Sequence, residues 1–147
     1  MILYFGAVDY ECQVWVNNKL VGIHKGGNNP FSFDVTKFLK KGGSQLVEVA
    51  VIDPTDTESI SRGKQQLDPK GIWYSPVSGI WQTVWLEPVA DHYITNVRTT
   101  PDIDTNGVKV KVQTDNDRVS DKFEVKVFDE GQLVAMGTSI NVLPVEI

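Results

Sequence analysis

From Leu3 onward the chain repeats one device: a short run of β-branched and aromatic residues closed by Gly, Asn, Asp or Pro, with no sustained helical period. Alternating apolar and polar positions mark half-buried strands, and short strands at this spacing must pair with one another, so the chain is expected to be all-β. The clearest run places Cys12, Val14 and Val16 on one face and Gln13 and Trp15 on the other. Asn17-Asn18 follows as a two-residue hairpin turn, because Asn tolerates positive φ, and Leu20 to Ile23 is the return strand.

The same reading carries through the first half. Leu3 to Val16 forms one strand, or two interrupted near Gly6. Gly26 to Pro30 is loop, Phe31 to Val35 alternates like a strand, and Thr36 to Leu39 has room for one helical turn before Gly42-Gly43. Gln45 to Ile52 is a strand with Val47, Val49 and Val51 on one face, ended by Asp53-Pro54. Asp53 to Lys70 is then polar and long for a connection inside a compact domain, which points to a functional or mobile segment.

That loop leads into residues 71–88, which hold Trp73, Tyr74, Trp81 and Trp85. Ile80 to Glu87 reads as one strand stopped by Pro88, and the aromatic part before it as a loop. Rings on such a loop have two uses. They form core or interface, the commoner fate of Trp and Tyr, or they offer flat faces on which a sugar stacks.

Gly71-Ile72-Trp73 with Gly79-Ile80-Trp81-Gln82-Thr83-Val84-Trp85-Leu86 resembles the end of the sugar-binding domain of family 2 glycoside hydrolases, the group of β-galactosidases, β-glucuronidases and β-mannosidases. Phe5-Gly6-Ala7-Val8-Asp9-Tyr10 with Val14-Trp15-Val16-Asn17, the segment Gly22 to Asp34, and Arg62-Gly63-Lys64-Gln65 resemble further motifs of that family, in the same order. The resemblance covers residues 3 to 88. It implies a partial jelly-roll (galactose-binding-like) sandwich over 1–89 whose opening strands would precede Leu3. It also implies that a partial immunoglobulin-like sandwich follows over 90–147.

The second half agrees in pattern. Val89 to Tyr93 reads as a linker, and Ile94 to Thr100, Val108 to Gln113, Phe123 to Asp129 and Leu133 to Thr138 as short strands. Their turns are Asp104 to Gly107, Asp115 to Asp117 and Asp129 to Gln132. An immunoglobulin sandwich takes about 100 residues, so this one is expected to be incomplete. Open strand edges favour association of the chain with itself.

The net charge of -5, with no concentration of Lys or Arg, argues against nucleic acid. No apolar run is long enough to cross a bilayer as a helix, and no signal peptide is legible. The compartment stays open, while the resemblance implies a periplasmic or extracellular parent. The single Cys12 excludes an intrachain disulfide and reads as a buried thiol.

In the family the resemblance names, two glutamates in a (β/α)8 barrel perform retaining hydrolysis. That chemistry needs two carboxyls about 5 Å apart. No barrel pattern exists here, so no catalytic residue is expected and the chain should be inactive alone. The carboxylates present read more simply: Asp9 and Glu11 as one face of a solvated strand end, and Asp53, Asp56 and Glu58 as a turn short of the ligands a calcium loop needs. His24 and His92 lack partners at zinc spacing, and His24 is expected to bond backbone. Neither a metal nor another cofactor is expected.

The substrate-binding candidates are Arg62, Lys64, Gln65, Trp73 and Tyr74. Arg62 and Gln65 can hydrogen-bond vicinal hydroxyls, and Gly63 allows a tight bend. By resemblance their loop approaches the mouth of the missing barrel, and an inter-domain bond is an equal use for it. Without that barrel the loop is expected to be mobile. The expected partners are carbohydrate, through a parent that hydrolyses O-glycosyl bonds, and the missing barrel itself. A free-standing carbohydrate-binding module built on Trp73, Tyr74 and Trp15 is the alternative.

Overall fold

The computed structural model describes residues 1–116, 121–140 and 145–146. The chain divides into two compact units, Met1–Pro88 and Val89–Ile147. The fold is all-β: a partial jelly-roll sandwich, then short antiparallel sheets of immunoglobulin-like type.

The first unit holds β1 (Ile2–Phe5), β2 (Val8–Asp9), β3 (Glu11–Val16), β4 (Lys19–Lys25), β5 (Phe31–Asp34), β6 (Val47–Ile52), β7 (Gly79–Ile80) and β8 (Val84–Glu87). They form two three-stranded antiparallel sheets, β5-β1-β8 and β4-β3-β6, and the small ribbon β2-β7. Leu3 and Phe5 of β1 meet Val8, Val35 and the inward face of β3, Cys12, Val14 and Val16, in one core. Each such side chain removed from water stabilises the fold by about 1.5–3 kcal/mol. Phe31 stacks on Phe5 and on His24, tying β5 to both sheets. A Cβ on Gly22 would collide with the Phe33 ring, so only Gly lets β4 and β5 come this close.

Asn17 and Asn18 take φ of 51° and 65°, the left-handed turn expected between β3 and β4. Just before the 3-10 turn Thr36–Phe38, Asp34 accepts the Thr36 N–H at 2.9 Å and its hydroxyl at 2.6 Å. These bonds hold the Asp34 carboxyl below its ordinary pKa. Burial pushes the Cys12 thiol up, as suits an inert core cysteine.

Two expectations change. Leu3 to Val16 is three strands, broken at Gly6 as expected and again at Tyr10, whose carbonyl accepts the Gly26 N–H at 2.9 Å. Ile80 to Glu87 is two strands separated by Trp81 to Thr83. The cause is the Gly6 break, since β7 pairs with β2 and β8 with β1, and the link must follow the offset between them. Gly6 donates to Thr83 O at 2.8 Å, and a Cβ there would strike Gln82 Cβ at 2.6 Å.

The second unit holds β9 (Ile94–Asp102), β10 (Gly107–Thr114), β11 (Lys122–Asp129), β12 (Gln132–Ile140) and β13 (Val145–Glu146), as the sheet β13-β10-β9 and the hairpin β11-β12. Positive φ at Asn106, Glu130 and Gly131 makes two of the expected turns; the third ends at Asp117, outside the described residues. His92 places Nδ1 2.7 Å from Asp115 and Nε2 2.8 Å from Asp121. Desolvation pushes Asp115 up, but the Tyr93 N–H and His92 outweigh it and hold the carboxyl below its ordinary value.

Candidate functional site

The long loop after β6 is pinned where it starts. Asp53 accepts the Thr55 N–H at 2.7 Å, the Thr55 hydroxyl at 3.3 Å and the Ser78 hydroxyl at 2.6 Å, which joins the loop's first turn to the segment just before β7. Farther along, the Tyr74 N–H donates to Lys64 O at 2.9 Å and the Gln66 N–H to Tyr74 O at 3.0 Å. The Arg62-Gly63-Lys64-Gln65 loop is thus tied to the aromatic segment through main chain.

Gln65 is the keystone of that tie. Its Oε1 accepts the Val77 N–H at 2.6 Å and its Nε2 donates to Arg62 O at 3.2 Å. Gly63 and Gly71 adopt φ of 61° and 62°, the left-handed bends that let the loop double back.

Between this loop and the β2-β7 ribbon lies a cleft of about 350 Å³, lined by Asp9, Asn28, Ser61, Arg62, Gln65 and Trp81, with Gly63 and Val77 completing it. Its size is within the range of small-ligand sites. Trp81 is held by its indole N–H, which donates to Gly27 O at 2.7 Å. Gly27 in turn packs on Asp9: a Cβ at Gly27 would lie 2.5 Å from the Asp9 Oδ1.

Burial raises the Asp9 pKa, the nearby Asp53 charge raises it further, and the Gln65 amide pulls it partly back. Among the described residues Asp9 makes no ion pair, and the buried Arg62 Nε has no hydrogen-bond acceptor. The cleft therefore presents a carboxylate acceptor beside a flat indole.

The structure brings Arg62 and Gln65 of the sequence candidates into this cleft. Lys64 and Tyr74 join only through backbone, and Trp73 and Tyr74 show 39% and 65% of their surface to solvent outside the lining. Trp15 lies on the outward face of β3, beside Asn18 and Glu48. Sequence reasoning missed Asp9, Asn28 and Trp81. Asp9 was expected to share a strand face with Glu11, but Tyr10 separates β2 from β3, and Glu11 instead pairs with Lys25 at 3.2 Å. His24 Nε2 lies 3.1 Å from Gly26 O, the backbone bond expected of it. Among the described residues no three His, Cys, Asp or Glu side chains converge as a metal site.

Two facing antiparallel sheets with a cleft built by their connecting loops define a β-sandwich domain of the jelly-roll type. Residues 1–88 match the glycosyl hydrolases family 2, sugar binding domain, and the chain belongs to that family. It is similar to a β-galactosidase of Thermoanaerobacter pseudethanolicus, 33% identical over 97 residues, which covers 65% of this chain and 12% of that protein. β-Glucuronidase of Rattus norvegicus is 29% identical over 160 residues, covering 94% of this chain and 24% of that protein. A solved β-D-glucuronidase from Dictyoglomus thermophilum shares the fold at a TM-score of 0.73 and 24% identity, over 99% of this chain and 27% of that one. The chain thus spans between 12% and 27% of the length of these proteins.

Proposed function

We propose that this chain is the non-catalytic part of a family 2 glycoside hydrolase with a β-galactosidase-like parent that hydrolyses O-glycosyl bonds. It supports the substrate side of a catalytic barrel, docks against that barrel, and uses the Asp9–Arg62–Gln65–Trp81 cleft for carbohydrate. The observation that carries this reading is the cleft itself, where a carboxylate that makes no ion pair among the described residues stands beside an indole that is 50% exposed. Sugar recognition needs that combination: an acceptor for hydroxyls and an apolar face for the ring.

The test is a hydrolysis assay of the purified chain on nitrophenyl galactoside and glucuronide, together with heteronuclear NMR titration by simple sugars. No turnover and millimolar shifts at Trp81 and Gln65 are expected. Turnover would overturn the non-catalytic reading, and absence of shifts would remove the sugar role and leave docking alone. The solvent exposure of Trp73 and Tyr74 favours the free-standing binding module as a second reading, and shifts centred on those rings would select it.

A further inference from the structure

We infer that the outward face of the β4-β3-β6 sheet carries a second carbohydrate site, in which a neutral sugar ring stacks on Trp15 while Glu48 and Asn18 bind its hydroxyls. It stands apart from the cleft, since the two share no lining residue. Trp15 sits in a row across the sheet, directly opposite Leu20 on β4 and Glu48 on β6. Residues opposite one another in antiparallel strands share a face with Cβ atoms about 4.5–5.5 Å apart, so the half-buried indole is flanked by an apolar side chain and a carboxylate. Asn18, at positive φ in the turn after β3, and the small Ala50 complete with Val49 a depression of about 420 Å³, a size that holds a small ligand.

The polar groups of this row are unspent, and that decides the ligand. Among the described residues the Trp15 indole N–H, the Asn18 side-chain amide and the Glu48 carboxylate make no hydrogen bond or ion pair. Their neighbours differ. Asn17 spends its side chain on Phe38 O, Gln45 and the Leu46 N–H, and Glu11, farther along β3, pairs with Lys25 at 3.2 Å. A flat indole with a donor at its edge, an amide that both donates and accepts, and a carboxylate that accepts together complement a pyranose, which has C–H faces and a rim of hydroxyls. An apolar protein surface laid over the same row would leave the Glu48 carboxylate and the Asn18 amide buried without partners, which desolvation penalises.

The experiment follows the indole N–H signals of the full chain by heteronuclear NMR while methyl β-glucoside, methyl β-galactoside or cellobiose is added to about 100 mM, enough to reveal millimolar binding. The Trp15 signal, identified by its loss in Trp15→Phe, is expected to move saturably with at least one of these sugars. Glu48→Gln keeps the shape of the site but gives up the charged acceptor, and should weaken that binding at least about fivefold. Glu48 is exposed, so this variant is expected to fold, which unchanged Trp81 and Trp85 signals would verify. A Trp15 signal that no sugar moves, or binding that Glu48→Gln leaves unchanged, would overturn the inference, whatever Trp81 and Gln65 report of the cleft. A Trp15 signal that answers to protein concentration and not to sugar would assign this face to a second copy of the chain and overturn it too.

Discussion

The indole N–H of Trp81 donates to the carbonyl of Gly27 at 2.7 Å, across 54 residues of chain. This bond clasps the link between β7 and β8 to the loop after β4, and it closes over Asp9, because Gly27 packs on that carboxylate. Trp81→Phe keeps a ring but leaves a part-buried carbonyl without its donor. The expected loss is about 1–2 kcal/mol of stability, read by urea unfolding with far-UV circular dichroism. An unchanged midpoint would show that the bond is replaced at once by water.

Asn17 does two jobs at the β3–β4 hairpin. It accepts a left-handed φ of 51°, and its side chain donates to Phe38 O at 2.9 Å and Gln45 Oε1 at 2.8 Å while accepting the Leu46 N–H at 3.1 Å. Asn17→Gly keeps the first and loses the second, whereas Asn17→Ala loses both. Asn17→Ala should therefore be the less stable of the two by about 1 kcal/mol, the strain of a left-handed residue that carries a Cβ. Equal stabilities in thermal unfolding would mean that the turn relaxes to another geometry.

How far these features were legible depends on their range along the chain. The Asn17-Asn18 turn, the inward set Cys12, Val14 and Val16, and the second-unit hairpins are local, so alternation and turn chemistry find them. The break at Trp81 to Thr83 was hidden. Those residues look like strand, and they leave the ladder only because their partner strands β1 and β2 are broken apart at Gly6, far earlier in the chain. The cleft was half legible. Arg62 and Gln65 stand out as polar groups in a long loop, but Asp9 and Trp81 wear the pattern of a strand end and a strand interior. Only the pairing of β2 with β7 brings them together.

Asp9 makes the fold sensitive to pH in a definite direction. Burial first, and Asp53 second, raise its pKa above the ordinary 3.8, so the folded state binds its proton more tightly than the unfolded chain does. Its contribution is most favourable below that ordinary value and is lost as pH rises through the folded pKa. Asp9→Asn, which never ionises, should be more stable than the parent at neutral pH, with the gain fading as the pH approaches 3.8. Melting temperatures of both proteins from pH 3 to pH 7, roughly the span of carboxylate titration, check the sign. A variant that is less stable at neutral pH would show that the charge on Asp9 is held by contacts worth more than its desolvation.

The β8 strand is expected to set the state of assembly. It pairs with β1 alone and is an edge of its sheet, with a row of main-chain groups open to another strand. Leu86 stands opposite Leu3 and Val84 opposite Phe5, yet Leu3 and Phe5 are buried while Val84 and Leu86 are 38% and 49% exposed. Apolar side chains on the core side of a sheet gain by being covered, and a second copy of the same edge provides both the cover and the missing hydrogen bonds. The chain is therefore expected to self-associate between about 1 μM and about 1 mM, with its mass followed by light scattering during size exclusion. Leu86→Lys, which puts a charge on the open edge, should shift the equilibrium toward monomer. A parent chain that is monomeric throughout this range would show that the edge is covered from within the chain and would remove the idea.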